Sequence, residues 1–324
     1  MPGVKERFIE LGYIGRDLGS WVRRNPLHAL LTVALVGTII YFFGFLRLFA
    51  NHSQAIWPWA WIRFLPQYNQ EHSKIIPLIV LGLIWYHRKA LTVAPKKGSN
   101  VGLIFVFAGI LFYIVGARAL QPRVSLFGFP FLLLGIVWFL WGKQVARILL
   151  FPSALLFFMI PLGAIEQMTF RLQFLSTGIV TALGHLFGMG IHSVGTSIYP
   201  ASGDWGFDIA EGCSGIRSLI AMVMISAVYV HLREPKLWKK VTIVAFSVMF
   251  AVIGNAGRLF TIIIVARLGF PKFAGGIYHN WSDWVFFPIA VFSMFGFAKL
   301  LNINWKSMSA DKRLKRKAAV AYDY

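Results

Sequence analysis

Long apolar runs separated by short polar, mostly basic segments dominate this chain. A helix needs ~20 mostly apolar residues to cross the hydrocarbon core of a bilayer. Runs of that character cover 27–49, 75–86, 101–120, 124–141, 145–165, 213–231, 241–268 and 281–301. The second reaches spanning length only if it extends to Leu91. The pattern predicts an all-α fold, a polytopic transmembrane helix bundle of about eight spans. The stretch 168–200 breaks the pattern with Arg171, Gln173, His185, His192 and several glycines. It reads as an outer interfacial or re-entrant segment, or as a weak ninth span.

The basic residues orient this bundle, because Lys and Arg accumulate in cytoplasmic loops. With the N-terminus in the cytoplasm, 22 of the 32 basic residues fall in predicted cytoplasmic segments. An even number of spans returns the basic tail to the same side. A ninth span would move the basic loop 233–240 outside, so 168–200 is not expected to cross. Arg23, Arg24 and Asn25 lead into the first run with no small-residue cleavage site after it, so no cleavable signal peptide is expected. The reading divides the chain into a cytoplasmic segment 1–26, a single transmembrane domain 27–301 and a basic cytoplasmic tail 302–324. No internal repeat stands out. Trp57, Trp59 and Trp61 read as part of an outer aromatic belt, with substrate binding as the weaker reading.

Composition agrees: 57% of residues are hydrophobic and 14% charged, too apolar for a soluble domain. The formal charge of +20 could suggest nucleic acid. The charges are scattered between apolar runs, which makes them topology signals.

Cys213 is the only cysteine. It can form no intramolecular disulfide, and a lone cysteine is ordinarily a small buried hydrophobe. Its setting changes the weighing. Glu211-Gly212-Cys213-Ser214-Gly215-Ile216-Arg217 opens the sixth run, and Arg217 falls one helical turn on. A nearby fixed cation favours the thiolate. The next run carries Gly254-Asn255-Ala256-Gly257-Arg258 in its outer half, and His279 precedes the last run. Three segments thus deliver a thiol, an arginine and an imidazole to one side of the membrane. Charges within spans are costly and usually functional. The structural alternative pairs Arg217 or Arg258 with an acid such as Glu211 or Asp208. The set suits acyl transfer: a thiolate attacks a carbonyl, an arginine holds the oxyanion or keeps the thiol ionised, and a histidine moves protons. Asn255 reads as a packing or supporting residue. His52, His72, His185 and His192 compete for the proton-transfer role. No metal site and no cofactor is expected, since no ligand spacing or phosphate-binding glycine loop occurs.

The run from Phe207 to Leu219 around Glu211-Gly212-Cys213 resembles the signature of the exosortase/archaeosortase family. Asn255-Ala256-Gly257-Arg258 is similar to the family's Asn-x-x-Arg motif, and His279 matches its late histidine. Ile160-Pro161-Leu162 and Arg171-Leu172-Gln173 also look like the family. The similarity covers roughly 151–297, which makes that the catalytic half; the earlier spans match only generically. The resemblance implies a membrane transpeptidase with Cys213 as nucleophile, Arg258 as oxyanion or thiolate stabiliser and His279 as acid/base. Arg217 is implied as an accessory residue, with Glu211 and Asn255 beside it. Gly257 is unusually small for its place beside the motif arginine. The implied partners are exported proteins ending in a short motif such as Pro-Glu-Pro, one helix and a basic cluster. An acceptor, lipid- or polysaccharide-linked, and membrane lipids complete the set, with no nucleic acid. The implied location is the cytoplasmic (inner) membrane, with the active site facing out. Two other readings stand beside it: a transporter or polysaccharide-export component, and an intramembrane cysteine protease that only hydrolyses.

Overall fold

The computed structural model describes residues 22–24, 26–47, 54–65, 68, 70–161, 164–208 and 215–303. The chain divides into two compact units, Met1–Pro161 and Leu162–Tyr324. By length and composition, five helical segments among the described residues can cross a membrane: Val101–Arg118, Pro122–Trp141, Ile216–Arg233, Leu237–Arg267 and Pro271–Asn302. Ala29–Phe45 and Ile76–Tyr86 are shorter apolar helices. The chain is an all-α polytopic helical protein with one small sheet.

The first unit contains α1 (Pro26–Ile40), running into a π turn (Tyr41–Phe45), then α2 (Ile56–Arg63), a 3₁₀ turn (Glu71–Lys74), α3 (Ile76–Tyr86) and α4 (Arg88–Val93). It continues with α5 (Val101–Arg118), α6 (Pro122–Trp141) and α7 (Lys143–Leu155), and ends in a 3₁₀ turn (Leu156–Met159). Glycines seven residues apart let α5 and α6 meet backbone to backbone. A Cβ on Gly102 would lie 2.6 Å from the Gly135 carbonyl oxygen, and one on Gly128 would lie 2.4 Å from that of Gly109. Seven-residue spacing on both helices is the pattern of a left-handed pair. In lipid, such close backbone approach is a main source of helix association.

Two features of this unit differ from the sequence reading. The run 145–165 yields the 13-residue α7 and a 3₁₀ turn rather than a full-length helix. Ile160 is extended (ψ 120°), as a residue before proline is pushed to be. Of the three tryptophans, Trp59 is 4% exposed and Trp57 packs edge-on against Phe129 at 4.9 Å, while only Trp61 faces outward.

The second unit begins with α8 (Ala164–Leu186), a 23-residue helix. An antiparallel sheet follows, in the order β1 (Ile191–Val194), β2 (Ser197–Pro200) and β3 (Phe207–Asp208). Gly195 and Thr196 make the two-residue turn between β1 and β2, with Gly195 at φ +63°. A positive φ at the first turn position suits a tight hairpin and calls for glycine. Then come α9 (Ile216–Arg233), α10 (Leu237–Arg267) and α11 (Pro271–Phe273), which passes through a π turn (Ala274–Tyr278) into α12 (His279–Asn302). So the stretch 168–200, expected at the interface, forms a helix over its first part and a hairpin over its last.

Helix α8 has an inverted face pattern. Thr169, Gln173, Ser176 and Thr177 point inward and are buried, while Phe170, Phe174 and Leu175 are exposed. The spacing of four, three and one residues puts the polar side chains on one helical stripe. Against α8 lies the later part of α10, where Asn255 meets Ser176 and Leu259, Ile262 and Ile263 pack with Val180.

Three polar contacts tie α9, α10 and α12 together at different depths. Glu234 accepts a hydrogen bond from Asn302, which in turn accepts one from Lys239. Ser226 and Ser247, both fully buried, share a hydrogen bond at 3.0 Å. At the other end, Arg258 of α10 pairs with Asp283 of α12. Between these contacts, Met222, Ile243, Ala251, Ala290 and Met294 form one apolar cluster. A second, of Val180, Ile191, Ile198, Leu259 and Ile262, joins α8 and the sheet to α10.

Candidate functional site

The site lies at the end of the α9–α10–α12 bundle where α9 and α12 begin. Gly215 caps α9 at φ +80°, a conformation that glycine adopts without strain. It also lies against Asn255: a Cβ there would fall 2.7 Å from Asn255 Cγ. Asn255 Nδ2 donates to Ser176 Oγ on α8 at 3.2 Å, in a buried position. Asn255 therefore joins α8, α10 and the start of α9. Gly254 and Gly257 open the space for α12. A Cβ at Gly257 would come 3.3 Å from the Phe286 ring, and one at Gly254 would come 3.1 Å from Ala290 Cβ. The small residue beside the motif arginine is thus explained by the close approach of α10 and α12.

Arg258 follows Asn255 by three residues, on the same face. Its side chain is 4% exposed and that of Asp283 is 57% exposed. Nη1 of Arg258 bonds to Asp283 Oδ1. Nε and Nη2 are buried and have no hydrogen-bond partner among the described residues. These two nitrogens form one edge of the planar guanidinium, the fork that takes a carboxylate or oxyanion.

A cavity of about 370 Å³ opens beside this pair. Its polar rim is Arg217, Ser218, Arg258 and Asp283, and its apolar wall is Ala221, Trp284, Phe287 and Pro288. Arg217 is exposed on the first turn of α9, where it adds a second cation to the rim. His279 starts α12 one turn before Asp283, and the charges of both Arg258 and Asp283 act on its imidazole. The π turn just before His279 carries Gly275, whose missing side chain leaves room for the Phe207 ring of β3.

Of the residues singled out from sequence, Arg217 and Arg258 both line the cavity, Asn255 lies against Gly215 of its lining, and His279 is acted on by the charges of Arg258 and Asp283. Cys213 and Glu211 lie outside the described residues. The segment 209–214 that holds them is bounded by β3 on one side and by Gly215 and α9 on the other. The sequence reading missed Asp283, which pairs with Arg258 where Glu211 or Asp208 had been the candidate acids. An acid within an apolar run, one turn past His279, was the available signal. Two competing histidines have local contacts: His185 Nε2 lies 2.7 Å from the Ile191 carbonyl oxygen, and His192 stacks on its cross-strand partner Tyr199. His72 belongs to the first unit, and His52 lies outside the described residues.

Fold and site together define a polytopic helical membrane protein with a charged cluster and a cavity at one end of its helix bundle. The transmembrane exosortase family matches residues 61–296, well over half of the chain, and the chain belongs to that family. Membership supports a membrane sorting transpeptidase in general terms. No curated protein and no solved structure matches the chain.

Proposed function

We propose that this exosortase is a cysteine transpeptidase. It cleaves the C-terminal sorting signal of exported proteins at the outer face of the cytoplasmic membrane and transfers them to an acceptor. The observation that carries this reading is Arg258: a buried guanidinium with its Nε/Nη2 edge unmet among the described residues, beside a cavity and close to His279. A buried donor edge without a partner is costly, and it suits a group that gains its acceptor only when substrate or oxyanion arrives.

In sequence Cys213 comes two residues before Gly215, which lines the cavity and caps α9. The positive end of the helix dipole and Arg217 both favour its thiolate. Sγ attacks the carbonyl carbon of the scissile peptide, and the C–S bond forms as the carbonyl oxygen takes up negative charge. Arg258 holds that oxyanion. The C–N bond then breaks, and the departing amine takes a proton from His279. The released C-terminal helix leaves a thioester. A nucleophilic group on the acceptor gives its proton to His279 and attacks the thioester, and the thiolate departs. The acceptor is lipid- or polysaccharide-linked.

Depth along the bundle supports reaction near one face. Arg258 is 21 residues beyond Leu237, or ~32 Å of helix. That is about one hydrocarbon thickness from the basic 233–240 end. The basic-residue pattern supports a cytoplasmic position for that end.

The test is processing of a tagged protein ending in a Pro-Glu-Pro motif, an apolar helix and a basic cluster. Cys213→Ala is expected to reach wild-type abundance in the membrane and leave the precursor uncut, with Cys213→Ser nearly as inactive. Normal processing by Cys213→Ala would refute the thiol mechanism.

A further inference from the structure

We propose that Asp283 is a positioning residue of the reaction: it holds the Arg258 guanidinium so that its Nε/Nη2 edge faces the reacting carbonyl, and it balances the positive charge beside His279. The inference rests on the roles given above to Cys213, Arg258 and His279.

A guanidinium is planar, so a bond to one nitrogen fixes where the others point. Asp283 engages Nη1, the nitrogen outside the Nε/Nη2 edge. That bond leaves the fork open and sets its plane. With no acid at Asp283, the Arg258 side chain would keep four rotatable bonds and lose its only hydrogen-bond partner among the described residues.

The second half of the argument is charge. The charged groups at the cavity and beside the imidazole come from three elements. Arg217 is on α9, Arg258 on α10, and Asp283 on α12 itself. Glu211 and Cys213 belong to the connecting segment 209–214, outside the described residues. Helix α8 presents the neutral Ser176 through Asn255. Two guanidiniums therefore face one described carboxylate. The imidazole has to give a proton to the leaving amine, and Asp283 sets a negative charge against the positive charge of Arg258 beside it. The neighbouring carboxylate thus keeps His279 usable as an acid while Arg258 stays free to meet the oxyanion.

Asp283 is 57% exposed and lines the cavity, so its carboxylate is open to the site while it holds Arg258.

Asp283→Asn keeps the shape and one acceptor oxygen while removing the charge. At matched membrane abundance, it is expected to lower kcat for the tagged substrate by about 10- to 100-fold, the scale of a misplaced catalytic group. Apparent KM should change less than about threefold. Asp283→Glu should recover most of the loss, and the thermal midpoints of both variants should stay near wild type. Asp283→Asn should also alter the pH profile of kcat, losing activity on its alkaline side first, as the imidazolium becomes harder to keep. Wild-type kcat in Asp283→Asn, alongside inactive Cys213→Ala and Arg258→Gln, would overturn the role of Asp283 and leave the thiol mechanism standing. Equal inactivity of the Asn and Glu variants, with lowered thermal midpoints, would reduce Asp283 to a structural partner. Processing by Cys213→Ala would remove the mechanism, and this role with it.

Discussion

Gly215 offers the sharpest test of how local backbone geometry supports the site. Replacing it with alanine has two separable effects. The first is conformational: φ +80° is a left-handed setting that costs an L-residue with a Cβ ~1–2 kcal/mol. The second is steric. The new Cβ would lie 2.7 Å from Asn255 Cγ, 2.8 Å from Nδ2 and 3.0 Å from Cβ, so the carboxamide has to turn away. Turning it breaks the 3.2 Å bond to Ser176, a loss of ~0.5–1.5 kcal/mol. Gly215→Ala should therefore destabilise the protein by ~2–3 kcal/mol. It should also slow processing by ~100-fold, the scale expected when a reacting group moves by about 1 Å. Gly188→Ala is the control: φ is +61° with nothing within 4 Å of the new Cβ, so it should show only the conformational cost and a normal rate. In the Asn255→Ala background, Gly215→Ala should cost only the conformational ~1–2 kcal/mol, which appears as coupling in a double-mutant cycle. The readouts are thermal unfolding in detergent and processing rate at matched abundance. A normal rate for Gly215→Ala, or strictly additive stability losses, would refute the argument.

Gly128→Leu should split the α5–α6 pair, since even a Cβ would sit 2.4 Å from the Gly109 carbonyl oxygen; loss of folded protein in detergent checks this, and wild-type yield would contradict it. Asn302→Leu removes the link between Glu234 and Lys239 and leaves a buried carboxylate without its amide donor. It should lower the thermal midpoint without changing kcat, because it acts at the far end of the bundle from Arg258. Burial holds His72 below its ordinary pKa, against the opposing pull of the Phe158 carbonyl and Glu71. The folded protein then binds fewer protons there than the unfolded chain, so this contribution to stability is intact above pH ~6.5 and is lost as pH falls toward the folded value. His72→Gln should flatten the decline in thermal midpoint between pH ~6.5 and 5; an unchanged slope would show that other groups set it.

The bundle was legible in the sequence because lipid as a solvent demands it: each crossing must be apolar over its length and helical throughout. Two of the three motif segments were legible as neighbours, since topology alone carried Arg258 and His279 to one end; the segment with Cys213 lies outside the described residues. Asp283 was within reach as an acid one turn beyond His279. So was the glycine spacing of seven in 102, 109, 116 and 128, 135, which only acquires meaning once α5 and α6 are seen to pair. The hairpin was hidden by composition: 191–200 has too few alternating residues around Gly195-Thr196 to stand out in a polar stretch. The contact between Ser176 and Asn255 could not be read at all. It joins residues 79 apart, and neither side chain announces its partner.

Helix α8 carries a consequence for how the protein is made. Its inward stripe is polar and its outward face apolar, so it is fitted to a finished bundle rather than to bare lipid. Asn255, which meets Ser176, is translated 79 residues later. At ~5–20 residues per second, the ribosome takes roughly 4–16 s to reach it. During that interval the nascent α8 has none of α10 to pack against, and its hydroxyls and amide turn to water or to the insertion machinery. Final seating of α8 therefore waits for α10, and the cavity closes around Arg258 only after α12 has also emerged. A chain grown to residue 250 thus contains Arg217 but neither Arg258 nor Asp283, so the charged cluster is assembled only when the last two helices have been delivered to the membrane.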